Sequence, residues 1–140
     1  MKNYDKFLEE LKTQRSAERE KYGKELKREI EAFQRDYGER MSLFDEDYDA
    51  TKRDIGLDFV VINDVIISIS TVDTGVDKLY GERFETMFFI EGESKVEDLP
   101  AMVRPIIDKR ITYTTREEAE NSHKRFYEEL KNLSKVGFGE

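Results

Sequence analysis

Phe59-Val60-Val61-Ile62-Asn63-Asp64-Val65-Ile66-Ile67-Ser68-Ile69-Ser70-Thr71-Val72 is the stretch on which the fold turns. Two β-branched runs flank a dipeptide that can take positive φ, the pattern of a two-residue hairpin. Asn63-Asp64 is a weaker signal than Asn-Gly, because Asp accepts positive φ less readily than Gly. Downstream, Asp73 to Gly81 reads as a loop punctuated by Gly75, and Arg83 to Ile90 as a third strand ended by Glu91-Gly92. Residues 93–108 hold Pro100 and Pro105 and read as a loop with one helical turn after Asp98. Lys109 to Tyr113 reads as a fourth strand. Thr115-Arg116-Glu117-Glu118 is a capping box, in which the Thr hydroxyl accepts from the Glu118 amide and the Glu118 side chain reaches back. Ala119, His123, Phe126, Tyr127, Leu130 and Leu133 follow at helical spacing, with Gly137 as a C-cap. The expectation is an α+β fold: a four-stranded antiparallel sheet with a C-terminal helix packed on one face.

Upstream, Asn3 to about Ala50 contains no proline and is rich in strong helix formers. Its stripe stands in three columns eleven residues apart: Leu11, Tyr22, Phe33 and Phe44; Leu8, Arg19, Ile30 and Met41; Tyr4, Arg15, Leu26, Tyr37 and Tyr48. Eleven residues in three turns is about 3.67 per turn, so the stripe hardly drifts on a straight helix. One long amphipathic helix is predicted over 1–53, followed by a β-β-β-β-α unit over 54–140. Between Lys12 and Lys21 the stripe carries Arg15 and Arg19, with nothing apolar larger than Ala17. Gly23 and Gly38 each cost about 1 kcal/mol in a helix interior. The first turns are therefore expected to fray or hinge, and 22–48 to be the best-specified part. Some forty helical residues span about 60 Å, against a globule about 30 Å across for the remainder. Either the helix folds back at Gly23 or near Gly38, or another chain covers the stripe. Tyr22, Leu26, Ile30, Phe33, Tyr37, Met41 and Phe44 are the residues expected to bind a partner or a second copy.

Composition narrows the function. Of 140 residues, 37% are apolar and 40% charged, which suits an elongated shape better than a sphere. The net charge of −8 divides into −2 over residues 1–56 and −6 over 57–140. An acidic excess opposes binding to a phosphate backbone and suits a basic protein surface. No direct nucleic-acid binding is expected. Without cysteine there are no disulfides, zinc-thiolate sites or thiol nucleophiles. The apolar runs at Phe59–Ile62 and Val65–Ile69 are too short to cross a bilayer. Met1-Lys2-Asn3-Tyr4-Asp5 leads into no apolar signal segment. No membrane contact and a cytoplasmic location are expected.

Four short motifs follow one another at defined spacing: Ser70-Thr71-Val72, Gly75-Val76-Asp77, Phe84-Glu85-Thr86-Met87-Phe88-Phe89, and Tyr113-Thr114-Thr115-Arg116-Glu117-Glu118-Ala119 running on to His123. Over about residues 59–133, and nowhere in the long helix, the chain resembles a family of small uncharacterised proteins encoded mainly by bacteriophages and prophages. It departs from that pattern twice. Lys78 follows the loop Asp where the pattern has His, and Ser122 precedes the helix His where it has Gly. The resemblance implies a phage origin, the host-cell cytoplasm and a fold; it implies no reaction.

His123 is the only histidine, so a multi-His metal cluster is impossible and a His base would stand alone. On the apolar side of the last helix it reads first as a packing or hydrogen-bonded residue. Glu85 facing it across the sheet, with Thr71 or Ser70, would make a small pocket of Thr71, Glu85 and His123. Asp45-Glu46-Asp47-Tyr48-Asp49 begins like a calcium loop, but position six is Ala50 and position twelve Gly56, so the match fails. Gly75, Gly81 and Gly92 form no phosphate-binding sequence. Lys12, Arg15, Arg19 and Lys21 interleave with Glu18 and Glu20 and read as a salt-bridged helix surface. No catalytic, cofactor or metal residue is assigned.

Three readings follow. The first is a non-enzymatic phage accessory protein acting through a protein partner, one form being an acidic inhibitor of a host defence protein. The second is a virion or assembly component in which the helix builds a homo-oligomer. The third is a small-ligand-binding protein with its pocket by the C-terminal helix.

Overall fold

The computed structural model describes residues 4–38, 43–76 and 82–135. Helix α1 (Asp5–Tyr37) comes first, then strands β1 (Asp54–Ile62), β2 (Val65–Asp73), β3 (Phe84–Glu91) and β4 (Arg110–Tyr113), and helix α2 (Arg116–Ser134). The strands form one antiparallel sheet in sequence order, with β1 and β4 at its edges. The fold is therefore α+β, with the C-terminal helix packed on the sheet. No helix among the described residues is long and apolar enough to cross a membrane.

The hairpin lies where its residues predict. Asn63 and Asp64 both take positive φ (52° and 61°), a type I′ pair whose twist matches the flanking strands. β1 starts five residues before Phe59, and its register slips by one between Asp54 and Gly56. One sheet face carries Val60, Ile62, Val65, Ile67, Ile69 and Phe88, which join Leu99, Val103 and Leu130 of α2 in a single core. Phe126 meets Phe88 edge-on, with ring centroids 5.1 Å apart. Short 3-10 turns at Val96–Asp98 and Arg104–Ile106 bring Leu99 and Val103 beneath the sheet. At the start of α2 the Thr115 hydroxyl accepts from the Glu118 amide at 3.1 Å. The return contact differs from a full capping box, since Glu118 Oε1 accepts from the Thr115 hydroxyl.

The long helix departs from expectation twice. It ends at Tyr37, not near Ala50, because Gly38 takes φ 88° and closes the helix with its N–H on the Gln34 carbonyl. Phe44 and Tyr48 thus leave the helical columns and stack on each other at 5.2 Å in the returning loop. Met41 and Gly137 lie outside the described residues. The chain does fold back near Gly38: the Asp45 amide donates to the Gly75 carbonyl at 2.7 Å, and the Tyr48 hydroxyl donates to the Asp73 carbonyl.

The better-anchored part of α1 is also its N-terminal half, the part expected to fray. Tyr4 donates to Asp64, Lys12 pairs with Asp58 at 2.8 Å, and Arg15 reaches Glu91 at 3.3 Å. Arg19 lies 2.6 Å from Asp54 and also donates to the Thr71 carbonyl. Burial pulls the Arg19 guanidinium below its usual range, with Asp54 opposing that fall. Glu91 belongs to the sheet face opposite the core, so α1 crosses that second face, where Leu57, Phe59, Ser68 and Val72 are buried. The basic residues that interrupt the stripe are thus the ones that dock the helix.

Gly23 is the only buried residue of α1 and causes no hinge. A Cβ there would lie 2.7 Å from the Ala50 carbonyl oxygen, so the returning chain needs a bare backbone at this point. Gly23→Ala is therefore expected to lower stability by about 1–3 kcal/mol, although alanine raises helix propensity by about 1 kcal/mol. Urea denaturation decides; a stabilised variant would show that Ala50 does not seat against α1.

Candidate functional site

Beneath α2, residues from β1, β2, β3, β4 and the helix meet in one chain of hydrogen bonds. His123 Nε2 lies 2.8 Å from Asp58 Oδ2, and His123 Nδ1 lies 2.7 Å from the Thr71 hydroxyl. Thr71 and Thr86 hydroxyls are 2.6 Å apart. Tyr113 donates to Ser122 at 2.6 Å and approaches Thr86 at 3.3 Å. Asp58, Thr71 and Thr86 share the core-facing side of the sheet because each falls on the same strand parity. His123 comes down onto them one turn after Ala119. Its ring occupies the space a Cβ on Gly56 would need, with ring atoms 2.7–2.8 Å from that position.

An ionised carboxylate only accepts, so the Asp58 contact puts a proton on Nε2. A neutral imidazole then accepts at Nδ1 from Thr71, which in turn accepts from Thr86. Every buried polar atom named in this run then has a partner, which is what makes such a network tolerable in a core. Burial alone would raise the Asp58 carboxyl, but hydrogen bonds from His123 and Lys12 outweigh it and hold the group below its usual value.

The three residues of the expected pocket part company. Thr71 and His123 are joined directly, whereas Glu85 projects from the opposite sheet face and pairs with Arg110 of β4. Strand alternation is the cause, since Glu85 stands next to Thr86, which takes the inner face. Asp58 fills the role assigned to Glu85. Asp58, His123 and Thr71 thus have the connectivity of an acid-base-hydroxyl triad, but Thr71 is 0% exposed, so no substrate reaches its oxygen. Thr71, Thr86, Tyr113 and His123 come from three of the four short motifs noted in the sequence, and Ser122 adds its hydroxyl to the chain.

Asp58 is also where this network reaches the surface. It lies in the wall of a cleft of about 650 Å³ between α1, β1 and α2, with Leu8, Lys12, Tyr127 and Lys131 around it. At the other end of the sheet, Arg83 grips Asp73 with two nitrogens at 2.6 and 2.7 Å and Asp47 with a third at 2.7 Å. Asp45 lies 3.5 Å away. The Asp73 hydrogen bond leads in raising the guanidinium above its usual range, against the opposing effect of burial. Two acids of the failed calcium loop therefore hold an internal cation, and Asp49 accepts from the Thr51 amide at the start of a 3-10 turn.

Tyr22, Phe33 and Tyr37 are 50%, 42% and 67% exposed, while Leu26, Ile30 and Phe44 are half-buried. Arg53 lies over the Tyr22 ring at 4.8 Å, and Phe33 packs on Tyr37 at 4.9 Å. The seam past Gly23 thus continues beyond the sheet. No protein-family model matches the chain, and no curated protein or solved structure does so either.

Asp58 links this network to pH. A carboxyl held below its unfolded value contributes stability above that value, and the contribution is lost as pH falls through the folded value. Asp58→Asn is expected to lose about 1–2 kcal/mol at pH 7 and to show a shallower fall in stability below pH 3.8. Urea unfolding from pH 2 to 7 measures both; parallel profiles for the two proteins would remove Asp58 from the account.

Proposed function

We propose that this chain is a non-enzymatic binding protein whose docking element is the free end of α1, and that its partner is a different protein. The observation that carries the reading is the exposure of Phe33 and Tyr37 on the face that, further back, rests on the sheet. Leu26 and Ile30 share that face, and Leu43 beyond Gly38 is also exposed. Aromatic anchors of this kind dominate protein interfaces.

Charge argues against a second copy. At 100° per residue, Glu25, Glu29 and Asp36 line one border of this seam. Parallel pairing of two copies would drive both sheets into the same space, because each sheet lies on the seam side of its own helix. Antiparallel pairing avoids that clash but sets acidic border against acidic border. A heterologous partner with an apolar ridge edged by Lys or Arg meets neither obstacle, and it also suits the net charge of −8. The likeness to phage-encoded proteins makes a bacterial host protein the place to look, an inhibited defence protein among them.

Phe33→Glu with Tyr37→Glu tests this without touching the core. Wild type is expected to run as a monomer by light scattering and to capture a stoichiometric partner from host lysate. The double variant should keep its melting temperature and lose at least tenfold in recovery. No capture above background, or a concentration-dependent dimer abolished by the same changes, would overturn the proposal.

A further inference from the structure

β1 is an edge strand, and part of that edge stands open between two helices. In a two-residue hairpin the closing pair, here Ile62 and Val65, is hydrogen-bonded, and bonded pairs then alternate. Val60 and Asp58 therefore turn their N–H and C=O toward β2, while Phe59 and Val61 turn theirs outward. Among the described residues no backbone or side-chain group meets these four. They open into the cleft of about 650 Å³, within the span of about 300–1,000 Å³ usual for ligand clefts. The other edge, β4, is only four residues long and carries exposed Arg110, the usual way of blunting an edge. At β1, Lys12 reaches around the strand to Asp58 at one end and Tyr4 reaches Asp64 of the hairpin at the other, leaving the outward groups of Phe59 and Val61 open between them.

We propose that this open edge takes an extended peptide from a partner protein as a short fifth strand. Unpaired N–H and C=O groups spaced two residues apart are matched by an extended backbone and by little else. The walls specify the side chains. A strand added here alternates its side chains between the two sheet faces. Residues bonded to Phe59 and Val61 share their face, toward α1, where Asp5 and Glu9 flank Leu8. The intervening residues point toward α2, where Tyr127 and Lys131 stand. The segment is therefore basic at the positions that pair with β1 and apolar or acidic between them. This site is separate from the free end of α1 and stands whether or not that end docks anything.

The probe is the peptide acetyl-Lys-Val-Lys-Val-Lys-amide, titrated into the full chain and followed by backbone amide NMR. Saturable shifts centred on the Phe59 and Val61 amides are expected, with a dissociation constant of about 10⁻⁴ M. The same peptide N-methylated at its lysine amides loses the donors that face β1 and should bind at least tenfold more weakly. Val61→Pro removes only an outward N–H, a change that edge strands accept. It should keep a dispersed spectrum and lose the peptide; if it does not fold, the two peptides on wild type decide alone. The proposal is overturned by no saturable shift at about 5 mM peptide, or by equal binding of the N-methylated form. It also falls if the same amides shift with protein concentration alone while the mass doubles, which would make the occupant a second copy.

Discussion

The seating of one imidazole on one bare stretch of backbone holds the layers together. His123 lies where any side chain at position 56 would be, and from there it reaches Asp58 on β1 and Thr71 on β2. Those two bonds fix the height and rotation of α2 over the sheet. With His123 placed, Phe126 and Leu130 fall one and two turns further along, over Phe88 and the aliphatic core. A longer helix-sheet distance would break both bonds, and a rotated helix would turn Leu130 out of the core. Because the chain of hydroxyls behind Thr71 is buried, it tolerates only an arrangement in which each member finds its partner, and this gives the packing a single solution.

Charge accomplishes much of the remaining assembly. With 40% of its residues charged, the chain has little apolar material left for a second core. Beside the half-buried Leu8 and Leu11, it attaches α1 through Lys12, Arg15 and Arg19, each reaching a carboxylate of the sheet. The returning loop is held in the same way, by Arg83 among Asp73, Asp47 and Asp45. Partly screened pairs are worth little singly. Here, though, Arg83 is shared among three acids and braced against Tyr48 and Phe84, so loop, β2 and β3 are tied at one point.

How far these features are legible in the sequence follows from how local each one is. The hairpin, β3, β4 and α2 are readable because alternation, turn residues and a capping Thr act within a few positions. The end of α1 is not, since a lone glycine within a helical pattern does not by itself announce a C-cap, and the contacts that hold Asp45, Asp47 and Tyr48 outside the helix come from Gly75, Arg83 and Asp73, far along the chain. Asp45 and Asp47 look like a cation loop for a sound reason: they do face a cation, but one contributed by Arg83, some forty positions away. In the polar site, Thr71 and His123 are recognisable as chemistry-bearing residues, while Asp58 stands just ahead of the β-branched run, outside the expected strand. Choosing Glu85 in its place is an error of parity, one position from Thr86, which does join the network. A signal for Asp58 exists in retrospect: a charged residue between Leu57 and Phe59, on the parity of Val60 and Ile62, falls on a buried face and requires a partner.

The division of labour along α1 runs against the ordinary rule for an amphipathic helix. Where the helix rests on its own sheet, the stripe includes Arg15 and Arg19; where it projects past the sheet, the stripe is Leu26, Ile30, Phe33 and Tyr37. The aromatic surface exposed at that end, where Phe33 packs on Tyr37, costs solvation in the lone molecule. Charge-based docking of the first half meanwhile holds the helix in place without consuming the apolar half. The result is a helix held at one end by ion pairs to the sheet and carrying exposed aromatic surface at the other.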